Sequence, residues 1–363
     1  MNHLSAAKVG LLCLASTFAL VSGSVGLRAQ APATDAPHKA LTPEEAQARQ
    51  SWRQTMQALH APAAGCFHAS FPNTQWDEIE CEEPTPLRYV PRTDTPAGIS
   101  PLTVGAGHDF VAQAPHGHFI NAALGQFPEW KNLKSETGGG HPNQYTLQLN
   151  TNDDPYSAAC DGYPGCFAWQ QYVVSSDYYP PGGSGPSGKT EVFIQDWLID
   201  YGYHDGRNIC PAGWMDAGQV GTGDQCFRNS KAAVVHNGQI PISDLPDLAL
   251  EGTANADGTD EVEAFYGSDA YKVYTPDTLT DLAFDWSQVE FNVFGNGGGS
   301  GAEFNSGAGL LVEVELDYGS SSAPKCQPPS KVLGTTAETN NLNPGECVAG
   351  VGKYPYIEFI EEN

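Results

Sequence analysis

The feature that most constrains this chain is its cysteines. Nine are present, and eight fall as close neighbours: Cys66 with Cys81, Cys160 with Cys166, Cys210 with Cys226, and Cys326 with Cys347. An even set at such spacings predicts a disulfide framework in a chain that reaches an oxidising compartment. Clustering suggests those four local bridges, although eight cysteines allow many other connectivities. No C-x-x-C pair points to a metal, and cysteines that are paired leave no nucleophile.

The N-terminus supplies the compartment. Lys8 precedes an apolar run from Val9 to Val21, and Ala29–Gln30–Ala31 offers a small-residue cleavage point. Residues 1–30 therefore read as a signal peptide, too short and wrongly flanked for a membrane anchor. Cys13 lies within that segment. The expectation is a secreted protein, extracellular or periplasmic, with no later stretch fit to span a membrane. The formal net charge is −26, which argues against nucleic acid and anionic membrane surfaces as partners. Such an excess of acid fits solubility outside the cell or an acidic working environment.

Residues 31–103 read as a linker, a helix and a small stapled segment, together a candidate pro-segment or brace. Thr42–Pro43–Glu44–Glu45 is a helix start, with Thr42 as cap and Pro43 in the first turn. Trp52, Met56 and Leu59 mark its apolar face. A Pro/Thr-rich stretch over 84–101 follows the Cys66–Cys81 unit. Residues 104–363 read as one β domain, because 40 glycines, 27 prolines and 15 tyrosines favour strands and turns. Strands are expected at Tyr145–Asn150, Phe167–Val174, Val192–Tyr201, Val289–Phe294, Leu310–Asp317 and Tyr356–Ile360. Weaker ones are expected at Phe119–Phe127, Ala232–Val235, Leu248–Gly252, Val262–Tyr266 and Ala270–Tyr274. The predicted fold is all-β: a concanavalin-like jelly-roll β-sandwich with a short N-terminal helix.

Side chains alternate along a strand, and the alternation sorts these residues into two faces. One holds Leu147, Leu149, Tyr172, Val174, Ile194, Leu198, Val289 and Phe291. The other holds Gln148, Asn150, Trp169, Gln171, Gln195, Trp197, Tyr201, Glu290 and Asn292. A solvated antiparallel face is the ordinary explanation of the second set. Aromatics mixed with amides and carboxylates also suit a groove for an extended polymer.

Four of these stretches resemble the eqolisin family of glutamic peptidases, which are secreted, acid-active jelly-roll enzymes. Ile120–Asn121–Ala122–Ala123–Leu124–Gly125–Gln126–Phe127 resembles an early strand of that family. Trp169–Gln170–Gln171–Tyr172–Val173 is similar to its catalytic-glutamine strand, and Phe193–Ile194–Gln195–Asp196–Trp197 to the next aromatic strand. Gln288–Val289–Glu290–Phe291–Asn292–Val293 resembles the strand that carries its catalytic Glu. This chain has Gln195–Asp196 where the family has Glu before Trp, lacks the usual Trp-Val-Gly-Ile-type strand, and has a different cysteine framework. The resemblance implies Glu290 as general base and Gln171 as oxyanion stabiliser, with Trp169, Gln195, Trp197 and Asn292 lining a cleft for an extracellular polypeptide. The opening Gly65–Cys66–Phe67–His68–Ala69–Ser70–Phe71–Pro72 also resembles that of other secreted bacterial proteins.

Competing signals are present. Glu313, Glu315 and Asp317 share one face and faintly resemble the acidic strand of jelly-roll glycoside hydrolases, so a glycan-active or glycan-binding protein with a polysaccharide partner is the alternative. An acidic edge strand is the plainer reading of that run. His116 and His118, with His108 and His141, match no strong zinc spacing. Asp257, Asp260 and Glu261 miss the EF-hand pattern. No G-x-S-x-G elbow is present, and no motif calls for a cofactor.

Overall fold

The computed structural model describes residues 41–60, 64–90, 109–176, 185–202, 210–220, 223–256, 258–328 and 336–363. The signal segment, the linker at 31–40, the 104–108 start of the β region, His108 and Asp257 lie outside the described residues. Pro43–Asn363 form one compact unit.

Large antiparallel sheets build an all-β sandwich. The first runs Asp77–Ile79, Cys66–Ser70, Asp269–Pro276, Thr259–Tyr266, Leu248–Thr253, Ala122–Lys131, Gly309–Asp317, Tyr356–Glu362 and Asn343–Gly350. The second runs Met215–Val220, Gly223–Asn229, Lys189–Tyr201, Phe167–Ser175, Tyr145–Thr151, Gln288–Gly295, Val111–Gln113 and Lys325–Gln327, with Ala233–Asn237 also paired to Lys189–Tyr201. Each strongly alternating stretch forms a strand close to its expected bounds. Cys66–Ser70 and Asp77–Ile79, placed by sequence in the N-terminal segment, belong to the first sheet: Cys66 pairs with Val273 and is buried in the main core.

The helix spans Pro43–Gln57. Trp52 and Met56, one turn apart, bury against Ala69, Ala249, Phe265 and Ala270, so the helix braces the outer face of the first sheet. Trp52 meets Phe265 edge-on at 6.3 Å and donates its indole N–H to the Asn73 carbonyl at 2.6 Å. The four local disulfides form as the spacing suggests, with Cα–Cα distances from 5.3 to 6.4 Å. They close loops of 6 to 21 residues, and Cys326–Cys347 also ties the Lys325–Gln327 strand of the second sheet to the Asn343–Gly350 strand of the first.

Two glycines set how closely the sheets approach. A Cβ on Gly125 would lie 2.1 Å from Cγ of Phe291, and one on Gly252 would lie 2.3 Å from Cδ2 of Tyr172. The neighbouring Ala122–Lys131 and Leu248–Thr253 strands thus carry notches that receive rings from the opposite sheet. Because Phe291 points into its notch, Glu290 and Asn292 must emerge on the second sheet's other face. One expected alternation fails. Asp200 adopts φ 54°, a left-handed conformation that breaks the strand's two-residue period. Tyr201 therefore leaves the side of Gln195 and Trp197 and packs on Tyr163 at 4.1 Å, in a cluster with Leu198.

Overpacking the notch should cost stability. Gly125→Ala is expected to destabilise by about 1–3 kcal/mol, read as a lowered denaturation midpoint. An unchanged midpoint would mean the ring is not seated there.

Buried carboxyls give the fold a pH signature. Burial pushes Glu136 up to about 8 and Asp196, Glu263 and Glu338 up to about 7. It also raises Asp153 and Asp260 well above the usual range. Folded values above unfolded ones mean the folded chain binds more protons across roughly pH 4–8. Their contribution is fully present below the unfolded values and is lost as pH rises through the folded ones. Thermal melts should show a midpoint that falls from about pH 5 to about pH 8; a midpoint rising with pH would contradict this burial.

Candidate active site on the second sheet

Four adjacent strands of the second sheet place one polar side chain each in a row. Gln195 lies opposite Gln171, Gln171 opposite Asn150, and Asn150 opposite Glu290. At roughly 4.8 Å per strand, Gln171 and Glu290 stand about 10 Å apart along the backbone. The side chain of Asn150 joins them: its Nδ2 donates to Glu290 Oε2 at 3.0 Å, and its Oδ1 accepts from Gln171 Nε2 at 2.9 Å. Gln171 Nε2 also donates to Gln148 Oε1 at 3.2 Å. Asn150 presents its N–H to Glu290, so its oxygen faces Gln171, which donates to it.

Sequence reasoning placed Asn150 on the polar face but gave it no role. Its position between the two chosen residues is the signal that could have found it, once strand order is known. Asn292 reaches a different set of partners. It donates to Asp109 Oδ1 at 2.7 Å and to Glu361 Oε2 at 2.8 Å. Burial, and then the facing Asp109, hold the Glu361 carboxyl well above the usual range.

The expected cleft is filled. Gln171, Gln195, Glu290, Asn292, Trp169 and Trp197 are each at most 1% exposed. Part of the cover is the chain's own segment over residues 85–90. Gln195 holds its backbone from both sides, accepting from Tyr89 N–H at 2.9 Å and donating to the Leu87 carbonyl at 3.3 Å. Trp197 fixes that amide by donating its indole N–H to Gln195 Oε1 at 3.0 Å. Leu87 and Tyr89 pack with Val173, Phe193 and Ala232, and Val90 packs against the Trp169, Trp197, Ile199 and Phe227 cluster. Three of the residues assigned by sequence to polymer binding, Trp169, Gln195 and Trp197, therefore adjoin a stretch of the chain's own polypeptide.

The acidic run of the competing reading faces elsewhere. Glu315 and Asp317 line a cavity of about 310 Å³ on the outer face of the first sheet, with Glu251, Asn121, Thr253 and Tyr354. Glu313 pairs with Gln126 at 2.6 Å. Asp260 and Glu261 are buried among other side chains; Glu261 meets Lys272 at 3.2 Å and His60 at 3.0 Å. Among the described residues, no three His, Cys, Asp or Glu side chains gather as a metal-holding group, and no helix is long and apolar enough to cross a membrane.

No protein-family model matches the chain, and no curated protein sequence matches it. Among solved structures it is similar to scytalido-glutamic peptidase with a peptide-based transition-state analogue, at a TM-score of 0.27 and 9% identity. That match covers 69% of this chain and 97% of the other. A likeness of this size transfers no residue role.

Removing the bridging amide should be costly. Asn150→Leu leaves a buried carboxylate and a buried amide short of partners, a loss of about 1–3 kcal/mol for an unsatisfied group that denaturant unfolding would register. A neutral result would mean the row is solvated.

Proposed function

We propose that this chain is a secreted, acid-active hydrolase of the glutamic-peptidase kind, acting on polypeptides. The observation that carries the reading is the in-register row: Glu290 and Gln171 share one face, joined through one amide, beside a groove that already holds a segment of polypeptide. Glu290 takes a proton from a water that attacks the scissile carbonyl carbon. Gln171 gives up its longer bond to Gln148 and turns that N–H to the developing oxyanion. Collapse of the tetrahedral intermediate breaks the C–N bond, and Glu290 returns its proton to the leaving amine. Asn150 positions the Glu290 carboxylate throughout.

Glu290→Gln should abolish hydrolysis of denatured protein at acid pH with the fold intact, and Gln171→Ala should lower turnover by about 10²–10³. Inhibitors of serine, cysteine and metal peptidases should have no effect. Full proteolysis by the Glu290→Gln chain would sink the assignment.

A second reading is favoured by the open cavity on the first sheet. Glu251 and Glu315 flank Leu124 on adjacent strands, and burial raises both carboxyls. Two acids of different environment beside amides and Tyr354 suit a glycan. Release of reducing ends from a polysaccharide that disappears with Glu315→Gln would select it.

A further inference from the structure

We propose that residues Thr85–Val90 occupy the substrate groove as a tethered peptide, that the groove reads a polypeptide by its backbone and seats one Tyr or Phe ring on Phe193, and that this segment must leave before substrate enters. The inference rests on the proposed hydrolase reading for the groove's purpose, while binding itself is a separate property.

The segment bends at Pro86, where Thr85 Oγ1 accepts from the Leu87 N–H at 3.2 Å, and its burial alternates along its length. Thr85 and Tyr89 are buried and Leu87 is half-buried, whereas Pro86 and Arg88 are exposed. Residues 85–90 belong to none of the sheets. A permanent strand draws its hydrogen bonds from a neighbour's backbone; this one draws many of them from side chains. The Thr85 N–H donates to Glu191, and the Thr85 carbonyl accepts from Asn229 Nδ2 at 3.3 Å. Gln195 serves Leu87 and Tyr89, and the Val90 N–H donates to Glu338 Oε1 at 3.2 Å. Such clamps act on groups that every residue carries, so they fit many peptides in one pose.

Selectivity comes from one pocket. The Tyr89 ring lies 6.1 Å from Phe193, and its hydroxyl donates to Asn296 Oδ1 at 2.9 Å. With Val173 and Ala232 completing the walls, the pocket suits an aromatic side chain and rewards a phenol. The occupant is held close by its own chain. Cys81 is bonded to Cys66 in the first sheet, and Glu82 exchanges backbone hydrogen bonds with Ala232 at 2.9 and 3.0 Å. A tether this short gives an effective concentration on the order of millimolar, enough to exclude weakly bound peptides.

The test uses the full chain carrying Glu290→Gln, so that the probe stays intact, and a fluorescein-labelled peptide with the sequence of residues 84–90. Adding Tyr89→Ala empties the pocket, and anisotropy should show at least ~10-fold tighter binding than to the chain that keeps Tyr89. A peptide with Ala in place of its Tyr should lose that gain. Equal binding by the two chains, or none by either, with a cooperative melt retained, overturns the proposal. If Tyr89→Ala does not fold, Tyr89→Phe removes only the bond to Asn296. Amide exchange over residues 85–90 of that chain should then quicken with millimolar peptide, and unchanged exchange overturns the proposal. Hydrolysis surviving Glu290→Gln would remove the catalytic assignment and leave this result standing.

Discussion

The seating of Phe291 over Gly125 is the contact on which the rest of the arrangement depends. It sets the distance between the sheets, and it fixes which way the Gln288–Gly295 strand faces. Side chains alternate, so an aromatic ring driven into the core commits its two neighbours to the opposite side. A slip of one residue would bury Glu290 between the sheets and turn the ring onto the covered polar face. Tyr172 over Gly252 does the same for Gln171 from the next pair of strands. Two glycine notches in adjacent strands therefore orient both members of the candidate pair.

The polar row obeys a stricter rule than the core does. A buried amide or acid costs little only when its hydrogen bonds are made. The sheet meets that demand for its donors by supplying complementary groups in register: an acid, an amide that donates to it, and a second amide that donates in turn, while Gln171 Oε1 is left buried without a partner. Because each link fixes the next, the Gln171 N–H groups are committed to Asn150 and Gln148 while the groove is filled. On the proposed reading, catalysis requires a change of partner at Gln171, and the filled groove is a resting arrangement in which that amide is held by its neighbours.

Much of this was legible in the sequence, and what was not has physical causes. Strict alternation in Tyr145–Thr151 and Gln288–Gly295 revealed the two faces, because the core tolerates so little polarity. Tyr201 was misplaced because the period is local, and one left-handed residue, Asp200, ends it. Asn150 was visible as a face residue but not as a bridge, since strand order is a long-range property. The cover over the groove left no pattern at all. Residues 84–90 are rich in proline and bind through their backbone to distant side chains, so their composition resembles any linker. Cys66–Ser70 hid for a related reason: five residues are too short to show a period.

The local disulfides acquire a second meaning from that cover. A bridge closing a 15-residue separation, as Cys66–Cys81 does, would ordinarily be valued for restricting the unfolded chain. Here it also shortens the path between a strand locked in the first sheet and a segment lying on the second. A long free connection would dilute the segment and let it wander. The staple instead keeps the occupant near its groove whether or not it is seated, so release is a local opening with the fold intact. The same bridge that restricts the unfolded chain therefore sets how readily the groove refills.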